Sequence, residues 1–362
     1  MPSEDAAYRA RKGTLRLAFQ AARRRVAFGL SGQNGSLSDR IEKSWRRALW
    51  IYEEPFIGES LMDCAPRSLL TEQGLAVDLL APPLISAIFE GDPWFGRVTD
   101  NPMDIRPTGY DFAIVTGNRR LAVKRERLPD LPWVSLHTFY RAGNFHRSCY
   151  VARRLADLGS WPLPKDAMAR HSAQKLIVDE TARHWAAEAA PPDAVALAVG
   201  GADPDRTYHL WPDLLRRLAS AGVRRFLLIG SDNGREAAEQ VIAGLPPGCE
   251  ILNFLATTTV REAQALLDRA RVAVCCDGGL MHLALTTDTP VVSLFNRAID
   301  PEWRMPIESG GIALRSAVTS IDGIDPMEIA AAVMVLLGRR HLDPLGLRRA
   351  VTKACGTDSG IS

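Results

Sequence analysis

Residues 275–284, CCDGGLMHLA, place an acid and two glycines directly after an apolar run. The apolar residues predict a strand that is covered on both faces, and the residues that follow predict the start of a short helix. Without Cβ atoms, Gly278 and Gly279 would let the backbone approach a ligand closely. The exposed N–H groups of a helix that begins near Leu280 would favour a phosphate or a diphosphate. The segment therefore predicts a site for a phosphorylated ligand.

Asp277 in the same segment is open to two interpretations. A carboxylate that pointed at a phosphate would repel it, so the side chain could instead reach sugar hydroxyls. Alternatively, Asp277 is only the N-cap of the helix and the glycines only form a turn, which is a common arrangement. The segment alone does not decide between the two.

The composition is that of a globular protein with room for two domains. The chain has 362 residues, of which 46% are hydrophobic and 24% charged, which is ordinary for a soluble protein. The net charge of +2 gives no indication of a nucleic-acid partner. No run approaches the roughly 18 apolar residues of a spanning helix, and the N-terminus lacks the apolar core of a signal peptide. We therefore expect a cytoplasmic protein.

Cysteine and histidine usage predicts no metal site and no disulfide framework. The six cysteines include no CxxC pair and the histidines are scattered, whereas zinc sites and disulfide scaffolds show close, regular spacing. Such usage fits a reducing compartment.

The N-terminal segment of residues 9–25 is basic. It could form an amphipathic helix that contacts an anionic membrane, such as the inner membrane. Alternatively, it could be a solvated extension. Both alternatives are open. Its basic residues are Arg9, Arg11, Lys12, Arg16, Arg23, Arg24 and Arg25.

Strand and helix patterns alternate twice along the chain. Such alternation predicts an α/β protein with two doubly wound parallel sheets and a ligand beyond the strand ends. A proline-containing stretch, residues 160–192, predicts the crossover between the halves. The predicted boundaries are 1–44 for a basic extension, 45–175 and 176–340 for the two domains, and 341–362 for a C-terminal tail.

Three sets of residues predict helix ends. Thr259 and Glu262 have the spacing of a capping box. Asp325 is placed to cap a helix whose first residue is Pro326. A single helix is predicted over residues 59–74, and another over 147–158 with Gly159 just past its end.

Three stretches together resemble glycosyltransferase family nine, the lipopolysaccharide heptosyltransferases and their relatives. DGGLMHLALTTDTPVVSLF, which begins at Asp277, resembles the family's D-[TS]-G-x-x-H-[LI]-A … T-P-V-x-x-L-[FY] signature. GGADPDRTYHLWP is similar to its K-x-W-P loop. ALWIYEEPFIGESLMDCAP is similar to its opening strand and G-D motif, with Gly58, Glu59 and Pro66 in step. The resemblance extends from about residue 48 to residue 338, and the Asp277 segment is its most specific part.

The resemblance implies a GT-B fold, in which two Rossmann-like domains face each other across a cleft. It implies inverting transfer of a sugar, most often heptose, from a nucleotide-diphosphate donor such as ADP-heptose to a hydroxyl. The implied acceptor is a glycan or a lipid-linked oligosaccharide of the lipopolysaccharide core. The family needs no tightly bound metal, and no other cofactor is implied.

The residue that matches the family's catalytic base is Glu59, where the family has aspartate. A carboxylate there could take the proton of the acceptor hydroxyl. Alternatively, it is an acid placed in the first turn of a helix by the helix dipole. For the acceptor, the resemblance implies Asn118 and Arg120, and the alternative that Arg120 is only a surface charge at the start of a helix is the stronger one for that residue.

The donor residues implied by the resemblance lie in the second half. His209 stands where the family has a lysine that contacts the donor phosphates, and imidazole is only partly charged near neutrality, with a pKa of roughly 6.5. Arg206 in the same loop could take over that role. The full donor set is Gly201, Arg206, His209, Asp232, Thr258, Asp277, Gly278, Gly279, Leu280 and His282.

Two other classes of protein remain open. Because Glu59 and His209 both depart from the family pattern, the chain could be a catalytically impaired sugar-nucleotide-binding protein of the same fold. A sugar-nucleotide epimerase can share the two-domain fold, but the sequence shows no clear motif for the further carboxylate and histidine pairs that it would need.

Overall fold

The computed structural model describes Val26, Leu30 and residues 34–116, 122–137, 146–200, 203–305 and 310–338. The chain divides into two compact units, of which the first ends at Leu176 and the second begins at Ile177. Some predictions fall outside the described residues: the basic segment 9–25, the acceptor residues Asn118 and Arg120, the donor residue Gly201, and the tail 341–362.

The first unit contains a five-stranded sheet in which every pair of neighbours is parallel, in the order β3-β2-β1-β4-β5. The chain therefore reverses its winding between β1 and β4. The strands are β1 (Arg47–Ile51), β2 (Ala76–Leu80), β3 (Val98–Thr99), β4 (Phe112–Val115) and β5 (Trp133–Ser135). The helices are α1 (Ile57–Asp63), α2 (Arg67–Glu72), α3 (Pro83–Phe89), α4 (Ala122–Arg127), α5 (Arg147–Gly159) and α6 (Lys165–Ser172).

The second unit contains a six-stranded parallel sheet in the order β11-β10-β9-β6-β7-β8. This is the doubly wound order, with its switch point between β6 and β9. The strands are β6 (Val195–Ala198), β7 (Arg225–Gly230), β8 (Glu250–Leu255), β9 (Val272–Cys276), β10 (Val291–Phe295) and β11 (Ile312–Arg315). The helices are α7 (Glu180–Ala189), α8 (Trp211–Ser220), α9 (Arg235–Ala243), α10 (Val260–Arg269), α11 (Gly279–Ala284) and α12 (Pro326–Gly338).

The central strands are apolar because helices cover both faces of the sheet. All five residues of β9 and of β10 are buried, as the continuous apolar runs predicted. The two sheets confirm the predicted α/β class with two doubly wound units.

Several predicted helix ends are confirmed. Thr259 and Glu262 form the capping box at the start of α10. The Asp325 carboxylate accepts a hydrogen bond of 2.7 Å from the Met327 N–H. One prediction is wrong: Gly159 lies inside α5, and it is Ser160 that adopts the left-handed conformation, with φ +53°.

The predicted helix over residues 59–74 is two helices, α1 and α2. The break falls at Pro66, which precedes α2 as its N-cap residue and which has no N–H to continue the hydrogen bonds of α1. The stretch 160–192, predicted as a crossover, contains α6 and α7. The short strands β3, β5 and β11 were not predicted, since two to four residues are too few to show a period.

Candidate active site

The carboxyl ends of β6 and β9 form the switch point of the second unit, where open α/β sheets bind their ligands. Gly200 follows β6 with φ +92°. A Cβ on it would lie 2.7 Å from the Cα of Gly234. Another residue would be strained at this φ angle, and its Cβ would clash with Gly234. Position 200 therefore requires glycine.

Asp277 follows β9 directly and its side chain is 3% exposed. Its backbone N–H donates to the carbonyl of Leu294 at 3.0 Å, which fixes the residue to β10. The Nη1 atom of Arg206 lies 3.5 Å from one carboxylate oxygen, and the Nε atom of Arg304 lies 4.0 Å from the other. A buried carboxylate is thus flanked by two guanidinium groups from separate segments.

Arg304 was not among the residues predicted from the sequence. It follows the short 3₁₀ turn Pro301–Trp303, whose N-cap is Asp300. The available sequence signal was the Asp300–Pro301 pair, which is typical of a turn, with a basic residue just after it. Its proximity to Asp277, however, depends on the fold.

Gly278 is the N-cap residue of α11, a helix of six residues. Asp277 precedes this N-cap position. The interpretation of Asp277 as the N-cap of the helix is therefore wrong. Gly278 has φ 174°, an extended conformation that any residue adopts. A Cβ built on it would find only the carbonyl oxygen of Cys276 within 4 Å, at 3.8 Å. The described protein atoms thus leave the space beside Gly278 open.

His209 is held by Asp322, which precedes α12. The His209 N–H donates to one carboxylate oxygen of Asp322 at 2.8 Å, and Nδ1 lies 2.8 Å from the other. Since Nδ1 is engaged in this way, Nε2 is the ring nitrogen that could contact a ligand. A lysine at this position would present its charge on a longer and more flexible side chain.

The remaining predicted donor residues lie at or near strand ends of the second unit. Asp232 follows β7, is largely exposed and pairs with Arg235 at 2.6 Å. Thr258 immediately precedes the N-cap of α10. Within α11, His282 is buried, whereas Gly279 and Leu280 are half-buried.

In the first unit, Glu59 lies in the first turn of α1 and its side chain is 34% exposed. The Nη1 atom of Arg147, at the start of α5, is 4.0 Å from a Glu59 carboxylate oxygen. One turn further along α1, the buried carboxylate of Asp63 accepts two hydrogen bonds from Arg147, at 2.5 Å from Nε and 2.7 Å from Nη2. His137 Nε2 lies 3.1 Å from Asp63 Oδ1.

Asp63 and Arg147 each stabilise the charged form of the other, and this shifts their pKa values. Burial alone would raise the pKa of Asp63, but Arg147 and His137 outweigh burial and lower the pKa to about 2. Burial alone would lower the pKa of Arg147, yet Asp63 raises it above its ordinary value. Tyr52 is buried near the same groups, and burial followed by the charge of Asp63 raises the pKa of its phenol far above the ordinary value. Asp63 and Arg147 are therefore both ionised at neutral pH, and Tyr52 is neutral.

Arg147 is committed to Asp63 through two close hydrogen bonds, whereas its contact with Glu59 is longer. The partly exposed Glu59 carboxylate therefore lies beside the guanidinium of Arg147, whose charge Asp63 already balances. Asp63, Arg147 and His137 were not predicted as site residues. The i,i+4 spacing of Glu59 and Asp63 on one helix face was the only sequence signal.

Within the described residues, no group of three or more His, Cys, Asp or Glu side chains is placed to hold a metal ion. In the same part of the chain, no helix has both the length and the apolar character needed to cross a membrane.

Residues 148–319 match the family described as Glycosyltransferase family 9 (heptosyltransferase). This region contains most of the second unit, including Arg206, Asp277 and Arg304. Over these residues the resemblance predicted from the sequence is confirmed, whereas the Gly58–Glu59 motif lies outside the match.

A more particular similarity is to Lipopolysaccharide heptosyltransferase 2 of Salmonella typhimurium, with 27% identity over 110 residues. The match covers 30% of this chain and 31% of that protein, so the chain spans about a third of the length of this relative.

Solved structures of a family 9 glycosyl transferase and of two heptosyltransferases are similar over most of the chain. A glycosyl transferase family 9 protein from Veillonella parvula has a TM-score of 0.70 at 14% identity, over 83% of this chain and 99% of that chain. E. coli ADP-heptose lps heptosyltransferase II has a TM-score of 0.65 at 18% identity, over 82% and 100%. E. coli heptosyltransferase WaaC with ADP has a TM-score of 0.55 at 16% identity, over 81% and 97%. At these identities the similarity is one of fold, and it confirms two Rossmann-like α/β units of the kind found in GT-B structures.

Proposed function

We propose that this protein is an inverting glycosyltransferase that moves a heptose from an ADP-heptose-like donor to a hydroxyl of a glycan or lipopolysaccharide-core acceptor. The observation that carries the proposal is the Asp277 site, where a buried acid, two guanidiniums and the open space beside Gly278 meet at the switch point of the family-matched sheet. The E. coli relative described with ADP supports the class of donor.

In the proposed reaction, the second unit binds the donor. The departing diphosphate needs positive charge or N–H donors that are already in place when negative charge develops. Arg206 and the backbone at Gly278 and Gly279 would supply these, with Asp277 reaching sugar hydroxyls and Asp232 the ribose. Gly201, His209, Thr258, Leu280 and His282 complete the proposed donor site.

The first unit supplies the base. Glu59 would take the proton of the acceptor hydroxyl as that oxygen attacks the anomeric carbon, and the sugar would pass through an oxocarbenium-like state. Guanidinium groups would balance the leaving diphosphate, so the proposal includes no metal ion. Asn118 and Arg120 are proposed to contact the acceptor.

The test is transfer by Glu59→Gln. The variant should fold normally, because Asp63 still holds Arg147 through two hydrogen bonds. Loss of a general base should lower kcat by about 10²- to 10⁴-fold, while Glu59→Asp, which restores the family's acid, should retain far more activity. Glu188→Gln, at an exposed position of α7, is the matched control. Equal turnover by Glu59→Gln and the control would remove Glu59 as the base.

A second candidate function is sugar-nucleotide binding without transfer. It is favoured by His209, which stands at the family's lysine position and is engaged by Asp322. The two candidates separate when ADP-, GDP- and UDP-sugars are offered with a range of acceptors. A binding protein would be stabilised by its nucleotide in a thermal melt and would release no nucleotide from any donor.

The proposed place of reaction is the cytoplasm, with the basic segment 9–25 in contact with an anionic membrane surface. Full-length protein should sediment with vesicles that contain phosphatidylglycerol and not with neutral vesicles, and added salt should release it. Equal sedimentation with both kinds of vesicle would contradict electrostatic docking.

A further inference from the structure

Arg147 in the first unit lies beside two acids of α1, and it contacts them unequally. Its Nε and Nη2 atoms donate to the buried carboxylate of Asp63 at 2.5 and 2.7 Å. Its Nη1 atom, which stands outside this pair, is 4.0 Å from a carboxylate oxygen of Glu59. The guanidinium is therefore fixed by one acid and faces the other.

The buried side of this cluster fixes the orientation of Arg147. Asp63 is fully buried, and the oxygen that accepts from Arg147 Nε also lies 3.1 Å from Nε2 of His137. The ring of His137 stacks on that of Tyr150 in α5, with 5.5 Å between the ring centroids. A bidentate pair between guanidinium and carboxylate has a defined geometry, and out of water it is strong. Arg147 consequently has little freedom to turn away from Glu59.

The side chain of Glu59 is less constrained. It is 34% exposed, and glutamate has one more rotatable bond than the aspartate of the family pattern. Ordering such a side chain costs conformational entropy, so a base with this freedom needs a partner that keeps it in place. Among the described residues, Arg147 is the one cation that comes within 4.0 Å of its carboxylate.

The 4.0 Å separation suits a positioning role better than a close pair would. A close pair, at about 2.7–2.9 Å, would occupy the lone pairs with which Glu59 must accept the proton of an acceptor hydroxyl. At the longer distance, attraction between the two charges still favours rotamers of Glu59 that face Arg147. Asp63 already balances the guanidinium, so Arg147 does not draw Glu59 into a close pair.

We propose that Arg147 is a positioning residue that holds the Glu59 carboxylate in place for proton transfer, and that Asp63 fixes Arg147 in the orientation this requires. The inference rests on the proposed function, which makes Glu59 the base. It gives this chain a way to use glutamate where the family has aspartate, because an arginine at the start of α5 restrains the longer side chain.

The kinetic test measures Arg147→Lys in the wild type and in Glu59→Asp. Lysine keeps a positive charge beside the buried Asp63 but lacks the planar fork that faces both acids. Arg147→Lys should lower kcat by about 10- to 100-fold, as a displacement of about 1 Å does, and should leave the KM for the donor unchanged. In Glu59→Asp the loss should be several-fold smaller, because the shorter side chain depends less on Arg147. Arg153→Lys, at an exposed position of the same helix, is the control in both backgrounds.

A second measurement follows the Glu59 carboxylate without turnover. A carbodiimide with glycine ethyl ester converts accessible carboxyl groups to amides, and peptide mass spectrometry gives the rate at Glu59 relative to the exposed Glu188. The double variant Asp63→Asn with Arg147→Met removes both charges, so it leaves no buried charge unpaired. Glu59 should be labelled several-fold faster in this variant than in the wild type. Asp92, which is fully buried in the same unit, should stay unlabelled and so shows that the unit is folded.

The two measurements separate the positioning role from the proposed function. If the wild type transfers a sugar and Arg147→Lys keeps its kcat, the positioning role is wrong and the transfer proposal stands. An equal loss of kcat with glutamate and with aspartate at position 59 would make Arg147 a structural residue only, which also overturns the role. If the wild type transfers no sugar, the proposed function is wrong and the labelling decides alone. Faster labelling in the double variant would then show that Arg147 holds Glu59, and an unchanged rate would show that it does not.

Discussion

Asp63→Asn removes one negative charge from the first unit with almost no change in shape. The carboxylate it replaces is fully buried and accepts two hydrogen bonds from Arg147. An amide can accept only through its single oxygen, and its NH₂ group would face a guanidinium that is itself a donor. The substitution therefore leaves a largely buried positive charge without its balancing acid.

The expected loss of stability is about 3 kcal/mol. Breaking a buried ion pair on one side costs about 3–5 kcal/mol. The pKa of Asp63, at about 2, gives a second estimate, because a carboxyl group with a pKa of roughly 3.9 in the unfolded chain then contributes about 2–3 kcal/mol at neutral pH. The two estimates overlap, and the loss is a large part of a typical stability of about 5–15 kcal/mol.

The stability lost in Asp63→Asn should become smaller as the pH falls. Because folding lowers the pKa of Asp63, its contribution is fully present above about pH 4 and is lost as the pH falls towards about 2. The difference in stability between the wild type and Asp63→Asn should therefore shrink by about half near pH 3.

Urea unfolding followed by circular dichroism, together with hydrogen exchange of the β1 amides, measures this difference for the first unit. The double variant Asp63→Asn with Arg147→Met provides a cycle, and it should be more stable than Asp63→Asn alone because it also removes the unbalanced charge. A loss below about 1 kcal/mol, or a double variant as unstable as the sum of the single ones, would refute the role given to this pair.

Three further predictions concern other positions, and a fourth concerns metal ions. Gly278→Ala should keep the wild-type melting temperature, because a Cβ there meets only the Cys276 carbonyl at 3.8 Å, but should weaken ADP binding at least about 10-fold by calorimetry; unchanged affinity would show that no ligand approaches there. Gly200→Ala, with φ +92° and a contact of 2.7 Å to Gly234, should instead lower stability by at least about 1 kcal/mol in urea. Ala256→Gly should raise stability by about 1 kcal/mol, because Ala256 has φ +54°; a lowered urea midpoint would contradict this. Donor binding and turnover should survive dialysis against EDTA, and loss of activity that a divalent metal restores would contradict the metal-free proposal.

Local signals allowed much of the fold to be predicted. Continuous apolar runs identified β9 and β10, and spacing of a few residues identified the ends of α10 and α12, because the interactions involved lie within one turn or one strand. Strands as short as β5, and a left-handed Ser160 in place of the expected glycine, leave no such pattern.

Site residues could be predicted from the sequence only where they stand next to one another in a motif. Asp277 and Gly278 stand together in the chain, and Glu59 stands in a motif with Gly58. Arg147 is 84 residues from Asp63, and Arg304 reaches Asp277 only through the placement of the turn after β10. Such partners depend on how distant segments pack, and a single sequence does not record that.

The most direct test of the proposed transfer is ADP release from ADP-heptose, followed with and without a lipopolysaccharide-core acceptor. The proposal predicts that release depends on the acceptor and that one heptose is transferred, with inverted anomeric configuration, for each ADP formed. ADP-heptose that binds but yields no ADP with any acceptor, or that yields ADP with retained configuration in the product, would contradict it.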